Sequence, residues 1–165
     1  MLNIGRFMFN DAEFIDVETG EVKISKEPII LRSLAIGSCI VVVAFDQSRK
    51  IGGLAHIMLP GRCQSAKEEN KMKYAEDAID GLLNKLEDVG VKRGNLEISL
   101  IGGADIIGDR EVPSRLTDSV LDYLKSLNIA VMRQRLGGTQ HRSITLDIKT
   151  GEMLFSEGDS VKKEF

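Results

Sequence analysis

The chain has 165 residues, 42% of them hydrophobic and 28% charged, with a formal net charge of −3. That is enough for one domain with its own core, and the acidic balance, with no tryptophan and few aromatics, argues against nucleic acid or membrane insertion as a partner. No apolar run reaches the ~18 residues of a membrane span, the start is unlike a secretory signal, and two cysteines make no disulfide framework, so a reduced, cytoplasmic protein is expected.

Residues 1–20 lack periodicity and read as an N-terminal extension, in which Phe7, Phe9, Phe14 and Ile15 could dock or pack. Residues 21–158 read as the single domain and 159–165 as a frayed tail. Within the domain, 21–25 alternates polar and apolar as a half-buried strand. Pro28 interrupts, and a second strand over 29–36 ends at Gly37-Ser38. The β-branched run 40–45 predicts a strand covered on both faces, and Asp46 to Lys50 a polar turn. Residues 51–59 predict the next strand, with Gly52-Gly53 marking a bulge or close backbone approach. These two strands form a hairpin that brings the Cys39 end of one beside the His56 region of the other.

Apolar residues Met72, Ala75, Ile79, Leu82, Leu86 and Val89 predict a helix over 67–89, with Gly90 as its C-cap. A strand over 96–101 ends in Gly102-Gly103. Leu116, Val120, Leu124 and Leu127 predict a second helix, preceded by Pro113-Ser114. A short strand over 129–132, a turn at Leu136-Gly137-Gly138 and a hairpin made by 144–148 and 153–155 complete the chain. The expected class is α+β, with mixed, mostly antiparallel sheets packed with two main helices.

Cys39 follows Gly37-Ser38, and His56 lies in the next strand-like segment. A cysteine nucleophile attacks as the thiolate, which needs a partner to take its proton. His56 is the natural candidate, because imidazole titrates near neutrality. Gly37 and Ser38 leave room for substrate, and backbone N–H groups at this turn are oxyanion-hole candidates. The implied chemistry is acyl transfer, releasing ammonia from a carboxamide or an alcohol from an ester. A buried structural cysteine is the competing reading.

Several segments occur in one order: Ile36-Gly37-Ser38-Cys39-Ile40, Ile51-Gly52-Gly53-Leu54-Ala55-His56-Ile57-Met58-Leu59-Pro60, Lys73-Tyr74-Ala75-Glu76-Asp77-Ala78-Ile79, Ile101-Gly102-Gly103-Ala104, Gly137-Gly138 with Arg142, and Thr150-Gly151-Glu152. Over roughly residues 20–156 the chain resembles the CheD family of chemoreceptor glutamine deamidases. The resemblance implies a protein-glutamine glutaminase that converts selected glutamines on the cytoplasmic helices of methyl-accepting chemotaxis receptors to glutamate. It also implies a methylesterase side activity, a CheC-type phosphatase partner and a fold similar to toxin-deamidase-like cysteine hydrolases. By the same resemblance Cys39 is the nucleophile and His56 the base. The third catalytic position, usually threonine, falls on Ser33, which keeps the hydroxyl and loses the methyl. His141 stands where the family pattern has a glycine and is a substrate-side candidate.

The remaining residues carry blander expectations. Cys63 reads as a spectator thiol and Lys67, Lys71 and Lys73 as a solvated helix face. Cys39, His56, Cys63 and His141 fit no common zinc spacing, so neither metal nor other cofactor is expected. The alternative function is an adaptor that binds a receptor or a CheC-type phosphatase with weak or no chemistry, motivated by Ser33, His141 and the start of the second helix.

Overall fold

The computed structural model describes residues 13–165. The described residues form ten strands: β1 (Phe14–Asp16), β2 (Val22–Ser25), β3 (Ile30–Ile36), β4 (Ile40–Asp46), β5 (Ile51–Ile57), β6 (Glu97–Gly102), β7 (Val131–Leu136), β8 (Arg142–Asp147), β9 (Met153–Glu157) and β10 (Lys163–Glu164). Two helices, α1 (Ala75–Asp88) and α2 (Glu111–Ser126), join them. The strands make two five-stranded sheets, ordered β1-β3-β8-β9-β10 and β2-β5-β4-β6-β7. The β1–β3 and β6–β7 pairs are parallel and the others antiparallel, so the expected α+β class with mixed, mostly antiparallel sheets holds.

Alternation along β4 explains the layering. Ile40, Val42 and Ala44 pack with Ile79, Leu82, Leu83 and Leu86 of α1 and with Leu116, Val120 and Leu124 of α2. Val41, Val43 and Phe45 face the other sheet and pack with Leu31, Ile36, Ile144, Leu146 and Phe155. The order of layers is therefore helices, sheet, sheet, and β4 is buried along its whole length, as its continuous apolar run requires.

Several boundaries differ from expectation. The helix expected from residue 67 starts at Ala75, after a single 3-10 turn at Lys71–Lys73. The Lys73 carbonyl accepts from both Met58 and Leu59, at 2.9 and 2.8 Å, and the Ala75 N–H donates to the Leu59 carbonyl at 2.8 Å. Tyr74 is held extended by that bridge, so an α-helix cannot run through it. Lys73 instead pairs with Glu68 at 2.9 Å. The preceding loop is fastened to α1 by Arg62, which reaches Glu76, Asp77 and Asp80.

Pro113 lies inside the first turn of α2 rather than before it. The first N–H groups of a helix have no intrahelical acceptor, so proline costs no bond there.

Described residues on both flanks of the domain form strands that their patterning does not indicate. Phe14, Ile15 and Asp16 pair with Ile30, Leu31 and Arg32, while Phe7 and Phe9 lie outside the described residues. In the tail expected to fray, Lys163 and Glu164 pair with Phe155 and Leu154, and the Phe165 ring meets Phe155 edge-on at 5.6 Å.

Candidate active site

Cys39 and His56 come from the two strands of one hairpin. Val41 pairs with His56 across β4 and β5. Cys39 lies two residues before Val41 and so shares the face that looks toward the second sheet, diagonal to His56. Cys39 is half-buried against the inter-sheet core, and His56 is 4% exposed.

The turn that carries Cys39 is held by the end of β6. The Gly103 N–H donates to the Cys39 carbonyl at 2.8 Å and the Ala104 N–H to the Gly37 carbonyl at 3.0 Å. Gly102 makes this approach feasible: its φ is +123°, and a Cβ there would stand 2.1 Å from the Cys39 carbonyl oxygen. Arg142, buried on β8, donates to the carbonyls of Gly102 and Gly137 at 3.2 and 2.8 Å and pairs with Glu157 at 2.9 Å. One guanidinium thus joins both glycine turns beside Cys39.

The segment between β1 and β2 closes the other side. The Gly20 N–H donates to the His56 carbonyl at 2.8 Å, and the His56 N–H to the Glu21 carbonyl at 3.0 Å. His56 Nδ1 donates to the Val17 carbonyl at 3.2 Å. Ser33, 1% exposed, donates to the same carbonyl at 2.7 Å. Ser33 therefore reaches the imidazole through the Val17 carbonyl. Thr19 Oγ1 is 3.5 Å from His56 Nε2.

Burial pushes the His56 pKa below its ordinary value, against the opposing pull of the Val17 hydrogen bond and the charges of Glu18 and Glu21. Burial pushes the Cys39 thiol up, opposed by a hydrogen bond from Thr19. Both shifts favour neutral forms, so Cys39 rests as a thiol and His56 as a free-base imidazole. Such a pair can deprotonate its sulfur when an electrophile arrives.

The other sequence candidates are dispersed. Ser38 lines a small cavity of about 50 Å³ with Asp105, Ile106, Ile107 and Val112. Asp105 also borders a larger cleft of about 440 Å³, with Arg110, Thr117 and Gly138. The buried Asp105 Oδ1 has no partner among the described residues. His141 is exposed, whereas its neighbour Arg142 is buried, and no described contact joins His141 to Cys39 or His56. Cys63 is held apart on the loop before α1, its thiol donating to the Ser65 carbonyl at 3.4 Å. Val17 and Thr19 were not legible as site residues, because their segment carries no motif or periodicity.

A family model described as CheD chemotactic sensory transduction matches residues 58–157. The chain belongs to the CheD family. A protein of Methanococcus maripaludis strain C5, named probable chemoreceptor glutamine deamidase CheD, is 32% identical over 152 residues, spanning 90% of this chain and 97% of the relative. The chemoreceptor glutamine deamidase CheD of Halalkalibacterium halodurans strain C-125 is 32% identical over 145 residues, 84% of this chain and 90% of its own. A probable CheD of Clostridium botulinum strain Hall is 32% identical over 149 residues, covering 87% and 92%. The family model begins just after His56, whereas alignments this long take in Ser33, Cys39 and His56. No helix among the described residues is long and apolar enough to cross a membrane.

Proposed function

We propose that this CheD-family protein is a protein-glutamine glutaminase acting on chemoreceptors, with Cys39 as nucleophile and His56 as base. The observation that carries the reading is the placement of both residues on one face of the β4–β5 hairpin, in a chain whose relatives bear that name.

The Cys39 sulfur loses its proton to His56 and attacks the side-chain carbonyl carbon of glutamine. The tetrahedral oxyanion collapses as protonated His56 gives its proton to the departing amide nitrogen, and ammonia leaves. Water, deprotonated by His56, then attacks the thioester; glutamate departs and the thiol is restored. Backbone N–H groups at Gly37-Ser38 are the oxyanion-hole candidates, with a contribution of about 3–4 kcal/mol per donor. Ser33 supports the imidazole through Val17. A glutamate methyl ester presents the same acyl carbon and is the expected side substrate. The resemblance to the CheD family also implies a CheC-type phosphatase as partner, which co-purification of the two proteins tests.

The deciding experiment incubates the purified protein with cytoplasmic fragments of chemoreceptors from the same organism and reads peptide masses. Amide-to-acid conversion at defined glutamines, lost in Cys39→Ala, is the expected result. Unchanged receptor, with the protein folded and its thiol reduced, would leave only the adaptor reading, in which the domain binds receptor or phosphatase without chemistry.

A further inference from the structure

Neither the motifs nor the family relationship gives Thr19 a role, yet its hydroxyl lies beside the imidazole of His56. The Val17 carbonyl can only accept, so the His56 ring proton resides on Nδ1. Nε2 is then a bare acceptor, and Thr19 Oγ1 lies 3.5 Å from it, the outer limit of a hydrogen bond of a kind that tightens when substrate binds. The same residue opposes the upward push that burial gives the Cys39 thiol, and Cys39 shares the face of the β4–β5 hairpin that carries His56. The position of Thr19 is fixed by the chain around it. The Val17 carbonyl, which accepts from the imidazole, and the Gly20 N–H, which donates to the His56 carbonyl, flank Thr19 and hold it against the strand that carries the imidazole.

We propose that Thr19 is a catalytic residue whose hydroxyl bridges the Cys39 thiol and His56 Nε2 and passes the proton between them. The proposal rests on the cysteine-nucleophile reading. At rest, the Cys39 S–H donates to Thr19 Oγ1, and the Thr19 O–H donates to Nε2. On activation the S–H bond breaks as a new O–H forms on Thr19, and the original O–H breaks as N–H forms on Nε2. One proton leaves sulfur, one arrives on nitrogen, and the hydroxyl is unchanged in charge and composition. The products are a thiolate that now accepts from Thr19 and an imidazolium that donates to it. Nothing is oxidised or reduced. The charged groups acting on the imidazole are Glu18 and Glu21, the latter paired with Lys23 at 3.1 Å.

The test uses the full chain carrying Cys63→Ser, so that Cys39 is the one thiol. Thr19→Val and Thr19→Ala remove the hydroxyl, and Thr19→Ser keeps it. The readouts are the rate of Cys39 alkylation by iodoacetamide across pH and ammonia release from receptor fragments. Thr19 is exposed, and thermal melting checks that each variant is folded. Loss of the hydroxyl is expected to slow alkylation at neutral pH about tenfold and to move its pH profile upward. Turnover falls with it while KM stays, and Thr19→Ser restores both to within about twofold of the parent. Equal losses in Thr19→Ser and Thr19→Val would mean that shape rather than the hydroxyl matters, and would overturn the relay. So would unchanged or faster alkylation in Thr19→Val, the latter making Thr19 an obstacle. Alkylation is independent of receptor, so hydroxyl-dependent reactivity without ammonia release would keep the relay and sink the deamidase reading. Hydroxyl-independent reactivity with ammonia release would do the reverse.

Discussion

Ser33 and His56 donate to one atom, the Val17 carbonyl oxygen, at 2.7 and 3.2 Å. The β1–β3 pairing makes this convergence, because the Val17 N–H donates to the Arg32 carbonyl at 2.8 Å and so places Val17 beside Ser33. Ser33→Ala leaves that carbonyl with His56 as a donor, so no buried acceptor is orphaned. The expected cost is about 1 kcal/mol of stability and a several-fold fall in kcat with KM unchanged. Ser33→Thr restores both if its methyl fits. A loss as large as that of Cys39→Ala, measured as ammonia release, would require Ser33 to touch the reacting groups itself.

The pH profile follows from burial of both partners. The active resting form is thiol plus free imidazole, so turnover rises as His56 loses its proton and falls as Cys39 loses its own. The acid limb of kcat/KM is expected below the ordinary histidine value of about 6.5, and the alkaline limb above the ordinary cysteine value of about 8.5. Glu21 favours the imidazolium, so Glu21→Gln should move the acid limb to still lower pH. An acid limb above neutrality, or a shift upward in Glu21→Gln, would contradict the assignment of His56 as the titrating base.

What the chain pattern revealed, and what it did not, divides by contact range. The β4–β5 hairpin was legible because a continuous β-branched run, a polar turn and a second strand are local signals, and its register alone puts Cys39 diagonal to His56. Val17 and Thr19 were hidden because their placement depends on a parallel pairing between β1 and β3, which residues 1–20 do not announce. The start of α1 was overrun because Met72 sits in the apolar stripe without being α-helical: its sulfur rests over Gly81, where a Cβ would come within 2.7 Å. Pro113 looked like a boundary because proline ends helices in their interior, whereas the first turn of α2 loses no bond to it. Ser33 came from the resemblance to the CheD family, not from the chain's own pattern, and its route to His56 runs through a backbone carbonyl that no side-chain pattern encodes.

The hairpin that aligns the pair depends on Asp46 at its turn. Burial alone would raise this carboxyl's pKa, but hydrogen bonds from the Ser48 hydroxyl, the Arg49 and Ser48 backbone N–H groups and the Arg49 side chain outweigh it and hold the pKa below the usual range. The carboxylate therefore contributes stability at neutral pH, and that contribution is lost as pH falls from the ordinary aspartate value through the depressed one. Asp46→Ala, which leaves those donors without their acceptor, is expected to cost about 1–3 kcal/mol at neutral pH and to flatten the acid side of the stability profile. Denaturant melts of both proteins across pH check this. An equal difference at neutral and strongly acidic pH would show that the charge is not what stabilises the turn.

Gly102 and Gly90 separate backbone strain from crowding. Both have positive φ, +123° and +92°. A Cβ at Gly90 meets nothing within 4 Å, whereas one at Gly102 would lie 2.1 Å from the Cys39 carbonyl oxygen and 2.9 Å from Ile36 Cγ2. Gly90→Ala should cost only the conformational penalty, about 1 kcal/mol. Gly102→Ala must also push back the turn bearing Cys39, breaking the Gly103-to-Cys39 backbone bond, and is expected to cost more than about 3 kcal/mol. Cys39 alkylation should change with it, because the thiol moves off the line to Thr19 and His56, while Gly90→Ala leaves alkylation at the parent rate. Thermal melts and iodoacetamide rates on the pair decide the point. Equal destabilisation by the two variants, with Cys39 reactivity untouched in both, would show that the close approach of β6 to the Cys39 turn is not what positions the thiol.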